Sequence, residues 1–160
     1  WHEGAEDACK LISANFYEKA KKNCDEYFFI PHRKEHRGIG GIFYEKQEFN
    51  HIEEGLHFSD KVSEQFIENY IEIINKHKNT KYTEEEKKFQ RFRRGRYVEF
   101  NLTYDRGTLF GLQSGGRIES ILMSLPNKVE WHYKFDEKLS TEQQKLYDVL
   151  KTPRDWVDVI

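Results

Sequence analysis

At Arg96 the hydrophobic period of this chain changes. From 96 to 104 apolar and polar residues alternate, with Val98, Phe100, Leu102 and Tyr104 on one side and Tyr97, Glu99, Asn101 and Thr103 on the other. Strict alternation predicts a strand with one apolar face. Asp105-Arg106-Gly107-Thr108 supplies turn chemistry, so residues 109–113 are expected to return as the partner strand of a hairpin. Beyond Ser114-Gly115-Gly116, residues 117–125 and 129–135 read as two more strands, parted by Pro126-Asn127. The result is an antiparallel meander.

Upstream the spacing is helical. Ala5, Ala8, Cys9, Ile12, Phe16 and Ala20 mark an amphipathic helix over residues 5–23. Pro31 disfavours α geometry at Ile30, so the chain is expected to leave extended into His32-Arg33-Lys34-Glu35-His36-Arg37. The cluster Gly38-Ile39-Gly40-Gly41 then precedes Ile42-Phe43-Tyr44, a short strand beside a close backbone approach. Ser59 is a candidate cap for a helix over 60–77, whose apolar stripe is Val62, Phe66, Ile67, Tyr70, Ile71 and Ile74. Thr83-Glu84-Glu85-Glu86 is a capping box for a helix that carries Phe89 and Phe92 and is expected to end near Gly95. Thr141-Glu142-Gln143-Gln144 starts a closing helix that stops before Pro153. Helices followed by consecutive antiparallel strands give an α+β class, and 160 residues without repeat or long linker favour one domain over 1–160.

Charge excludes a polycation. Lys and Arg number 26 against 28 Asp and Glu, a net charge of −2, so the chain as a whole is not built to coat nucleic acid or an anionic membrane. With 37% hydrophobic and 15% aromatic residues, a disordered or low-complexity class is excluded as well. Cys9 and Cys24 lack a paired spacing and read as reduced core thiols of an intracellular protein. No apolar run approaches the roughly 20 residues of a membrane span. Residue 1 is Trp and the only methionine is Met123, so the sequence is expected to be a processed protein or a fragment.

The arginines are clustered: Arg33 and Arg37 in the charged hexad, Arg91, Arg93, Arg94 and Arg96 together, then Arg106 and Arg117 at the two turns of the meander. Guanidinium forks grip carboxylates and phosphates bidentately. Residues 91–96 read either as a solvated helix end that complements the dipole or as an anion grip. Gly115 and Gly116 free their amides and let a ligand approach Arg117. His2, His32 and His36 are metal-ligand residue types, yet no Cys spacing accompanies them, and structural or surface histidine is the plainer reading. Nucleophile-elbow, P-loop and dinucleotide fingerprints are absent.

Longer strings are more specific than these parts. Cys24-Asp25-Glu26-Tyr27-Phe28 with His32-Arg33 and Arg37-Gly38-Ile39-Gly40-Gly41-Ile42-Phe43, then Arg93-Arg94-Gly95-Arg96-Tyr97-Val98-Glu99-Phe100-Asn101-Leu102 with Tyr104-Asp105-Arg106-Gly107-Thr108, resemble the oxygen-dependent coproporphyrinogen III oxidases. The resemblance continues through Phe110-Gly111-Leu112-Gln113, Gly115-Gly116-Arg117-Ile118-Glu119-Ser120 and Pro153-Arg154-Asp155-Trp156-Val157, and so covers almost the whole chain.

That resemblance implies a fold with a large antiparallel sheet flanked by helices, of which this chain is the C-terminal portion. It implies oxidative decarboxylation of two propionates of coproporphyrinogen III to vinyl groups, giving protoporphyrinogen IX in haem biosynthesis, with molecular oxygen as co-substrate and no required cofactor. Gly115, Gly116 and Arg117 match the family's substrate-contacting Gly-Gly-Arg. The stretch from Tyr97 to His132 matches a dimerisation segment, so a homodimer is implied. His2 and His32 match two histidines proposed as ligands of a divalent metal. The family's Gly-rich segment ending in Ala-Asp-Leu-Thr-Pro and its proton-donor histidine are not in these 160 residues, so the catalytic base is expected outside them. Asn23, where the family has Trp, and Glu45-Lys46, where it has an acidic pair, are departures. A cytoplasmic location is expected, a mitochondrial one being the alternative. Two other readings stay open: a catalytically incomplete half that keeps the dimer surface, and a nucleic-acid module gripping through residues 91–96 with Phe89, Phe92 and Tyr97 as stacking groups.

Overall fold

The computed structural model of the protein describes residues 1–134 and 139–157, which form two units. The first comprises Trp1–Tyr27, Gly40–Lys81 and Pro153–Ile160; the second comprises Phe28–Ile39 and Tyr82–Thr152.

In the first unit the expected helical stripe is buried, but its helix is broken in two. Helices α1 (His2–Cys9) and α2 (Phe16–Tyr27) are joined by a turn in which Leu11 and Ile12 amides bond back to Ala8 and Cys9 carbonyls. Cys9, Phe16, Tyr17 and Ala20 meet Phe58 of α3 (Ile52–His77) in one core, with the rings of Phe16, Tyr44 and Phe49 around Phe58. α1 crosses α3 at Gly4, where a Cβ would run into the Gln65 and Asn69 side chains. Ser59 is not a cap: α3 begins earlier, at Ile52, and the Ser59 hydroxyl donates to the Gly55 carbonyl at 2.8 Å. Glu53 and Glu54 in the first turn complement the helix dipole, and the Glu54 carboxylate accepts from the Asn50 amide, which is what starts the helix upstream of the expected cap.

The expected strand at 42–44 is absent. Its residues pack instead: Ile42 and Tyr44 lie against the core, the Phe43 ring stacks on Tyr27 at 4.5 Å, and the Phe43 amide donates to Ala20. Gly40, at φ +81°, brings the chain against Cys24, whose sulfur accepts from the Gly41 amide. Both cysteines are buried and neither forms a disulfide, and burial with Glu6 nearby pushes the Cys9 thiol up to about 11.

The second unit opens with a small antiparallel pair, β1 (Phe29–Ile30) and β2 (Glu35–His36), in which Phe29 faces His36 and Ile30 faces Glu35. Ile30 before Pro31 is extended as expected, but 31–34 form a tight turn in which the Arg33 and Lys34 amides donate to the Ile30 carbonyl, so the expected extended run over 32–37 is reduced to Glu35–His36. Among the described residues four helices follow: α4 (Glu84–Thr103), α5 (Arg106–Gln113), α6 (Ile118–Leu122) and α7 (Thr141–Lys151). The capping box at Thr83 forms as read, with the hydroxyl accepting from the Glu86 amide and the Glu86 carboxylate accepting from the Thr83 amide. For α7 the cap is Ser140 rather than Thr141, because Gln143 closes the box one residue earlier.

The meander is not present among the described residues. α4 runs through Gly95 to Thr103, and Phe92, Gly95, Arg96 and Phe100 are buried on one stripe at helical spacing. This longer stripe outweighs the two-residue alternation that starts at Arg96. Leu102 and Tyr104, which belong to the alternating set, are exposed. Asn101 Nδ2 donates to the Tyr97 carbonyl at 2.7 Å, and the Thr103 hydroxyl donates to that of Glu99, further ties along the helix. Gly95 does not end α4. A Cβ there would lie 2.8 Å from the Glu130 carbonyl, so glycine lets the 130–131 backbone cross the helix. The turn residues at 105–108 are a helix start, since the Asp105 carboxylate accepts from both the amide and the hydroxyl of Thr108 at 2.8 Å. Residues 109–113 and most of 117–125 are therefore helical, and 129–134 are irregular; Phe135 lies outside the described residues. What is described is mostly helical with one two-stranded sheet.

Candidate functional site

The Gly-Gly-Arg string sits at the junction of α5 and α6. α5 ends in a Schellman turn: Gly115 adopts φ +72°, and the Gly116 amide donates to the Gly111 carbonyl at 3.0 Å. Gly116 is also needed for close packing, because a Cβ would lie 2.9 Å from the Gly111 carbonyl and 3.0 Å from Ile121 Cδ1. Gly115 faces open space and is required for its backbone conformation alone. The Gly116 amide is therefore engaged by the turn rather than open to an anion, and the ionic capacity of the junction rests on Arg117. Arg117 caps α6 with φ −64° and ψ 109°, and its carbonyl accepts from the Ser120 and Ile121 amides. Its side chain is exposed, and its guanidinium makes no ion pair with the described residues. A guanidinium so placed can receive a carboxylate as a fork.

A denser set of charges lies where the β1–β2 hairpin meets α4. Glu35, 2% exposed, accepts on one oxygen from Arg93 Nη1 at 2.9 Å and Arg96 Nε at 2.8 Å. Arg96 is buried as well, with its guanidinium 4.4 Å over the Phe92 ring. Glu99, one turn on, is gripped by Arg33 through Nε at 2.9 Å and Nη2 at 2.5 Å, and also accepts from Trp131 Nε1 at 3.0 Å. Burial opposes the Glu99 charge, but Arg33, Arg96 and His32 overcome it and hold the carboxyl below its ordinary range. Arg91 pairs with Glu130. Thus Arg91, Arg93 and Arg96 are held by internal carboxylates, while Arg94 is exposed.

The sequence reading singled out the arginines but missed Glu35 and Glu99 as their anchors. A signal existed, since Phe92, Arg96, Glu99 and Phe100 share a helical stripe once α4 is carried past Gly95. Asp105 and Arg106, read as a turn pair, are the cap and first residue of α5.

The two histidines of the expected metal site lie in different units. His2 is buried, accepts or donates at Nδ1 with the Tyr17 hydroxyl at 2.9 Å, and stacks on Trp156 at 5.7 Å; its Nε2 is buried without a hydrogen-bond partner. Burial, then Lys21, lowers its pKa from 6.5 to about 4, so it is neutral. His32 has both ring nitrogens engaged, Nε2 donating to Glu99 at 3.3 Å and Nδ1 accepting from the Tyr104 hydroxyl at 2.9 Å. His36 donates from Nδ1 to the Leu150 carbonyl at 2.7 Å. Among the described residues no group of three or more His, Cys, Asp or Glu could hold a metal ion. No helix among the described residues is long and apolar enough to cross a membrane.

Comparison with known proteins supplies the identity that the geometry alone leaves open. The chain is 45% identical over 157 residues to the oxygen-dependent coproporphyrinogen-III oxidase of Francisella tularensis subsp. holarctica (strain OSU18), a match covering 98% of this chain and 51% of the relative. The chain thus spans about half the length of that curated relative. The family model described as coproporphyrinogen III oxidase matches residues 1–156, across both units. With the Gly115–Arg117 junction and the clustered arginines in place, the chain belongs to the coproporphyrinogen III oxidase family.

Proposed function

We propose that this chain works as part of an oxygen-dependent coproporphyrinogen oxidase, which removes the carboxylates of two propionates of coproporphyrinogen III and leaves the vinyl groups of protoporphyrinogen IX. The family match and the relative's name support this reading. In each conversion the propionate loses its carboxylate as carbon dioxide together with a β-hydrogen, and the two electrons released pass to molecular oxygen. The bond-making is carried by substrate and oxygen. What the protein must supply is capture of an anionic tetracarboxylate, positioning of one ring at a time, and exclusion of water.

The observation that supports the substrate role is the exposed guanidinium of Arg117, which has no ion pair among the described residues and lies two positions after Gly115, a glycine that faces open space. Arg117 holds a propionate carboxylate, while Gly115 and Gly116 shape the backbone that presents it. The catalytic base belongs to the half of the relatives' length that this chain does not span, and the family's large antiparallel sheet belongs to that full-length arrangement. The two units act as one domain, a reading supported by the family match that crosses both. Homodimerisation through Tyr97 to His132 is supported by α5 and α6, which contain no buried residue and expose Phe110 and Ile118, with Met123 exposed just after α6. Two buried cysteines outside any disulfide suit a cytoplasmic setting. The 51% coverage also favours a second reading, in which these residues alone keep the dimer surface without turnover.

Anaerobic binding of coproporphyrinogen III to the wild type and to Arg117→Ala tests the contact. Loss of one charge-assisted fork is expected to weaken binding at least tenfold, about 1.5–3 kcal/mol. Equal affinity would remove Arg117 from the site.

A further inference from the structure

We draw no further inference here: the strongest candidate, the side-chain cluster of His2, Tyr17 and Trp156 in the first unit, where the buried His2 Nε2 has no hydrogen-bond partner, centres on the histidine already matched to a proposed metal ligand of the family and so restates a property expected of that family.

Discussion

The two longest helices of this chain invert the usual expectation. α3 has the cleaner apolar stripe and leaves much of it open to solvent, whereas α4, with charges on most of its turns, buries Arg96 and half-buries Glu99. A stripe says which side of a helix seeks a partner; it does not say whether the partner is an apolar core, a set of counter-ions or polypeptide outside the described residues. α4 reaches burial by bringing every buried charge its opposite: Glu35 for Arg93 and Arg96, Arg33 for Glu99. Such networks add little net stability but are costly to break, since removing one member strands the others in a dry site.

The largest effect that distinguishes the two helices is therefore expected at Glu35. Glu35→Ala removes the short carboxylate bonds of Arg93 and of buried Arg96, leaving Arg96 only the 3.4 Å contact to Glu99, and is expected to cost about 3–5 kcal/mol in denaturant unfolding of the second unit. Next is Glu99→Gln, at about 1.5–3 kcal/mol above pH 5, because charge-assisted bonds to Arg33 are lost. The sign with pH follows from the lowered Glu99 pKa. Its contribution is fully present above the ordinary carboxyl value of 4.5 and disappears as pH falls through the lower folded value. Acid unfolding followed from pH 7 to pH 2 should lose this limb in the variant. His2 gives the first unit a different window: with a folded value of about 4 against 6.5 unfolded, its contribution is complete above pH 6.5 and falls away between 6.5 and 4, and His2→Phe should flatten that limb.

Gly95→Ala sharpens the reading of α4 as a helix crossed by backbone. Alanine is the better helix former by about 1 kcal/mol, so a glycine kept only by chance would make the variant more stable. Contact with the Glu130 carbonyl predicts the opposite, a net loss of about 1–2 kcal/mol by thermal unfolding. The smallest effect is expected on α3, where Ile67→Gln and Ile71→Gln should each change the stability of this chain by less than about 0.5 kcal/mol. A loss of 2 kcal/mol there would mean the face is already covered.

Local hydrogen-bond chemistry was the most legible part of the sequence. The Thr83 capping box, the extended Ile30 before Pro31 and the buried cysteines follow from residues that find their partners within a few positions or in an obvious core. The helix starts at Ile52 and at Ser140's box were misplaced because Ser59 and Thr141 have the chemistry of caps without the position. The alternation at 96–104 misled for a different reason. Nine residues satisfy a period of two and also continue a 3.6-residue stripe begun at Phe92, and only long-range partners decide between them. Glu35 lies 61 positions from Arg96 and Trp131 lies 32 from Glu99, separations that no local pattern carries. Of the candidate site, the Gly115–Arg117 string was legible as a resemblance, while the use of its second glycine to close α5 needed coordinates.

We propose that these residues act within an oxidase and contribute its propionate grip. The direct measurement is oxygen uptake with carbon dioxide release from coproporphyrinogen III by a full-length chain in which these 160 residues replace the matching half of the Francisella relative. Turnover is expected, with Arg117→Ala lowering kcat/KM at least tenfold. Absence of turnover in a folded chimera, or full activity of the Arg117 variant, would contradict the account.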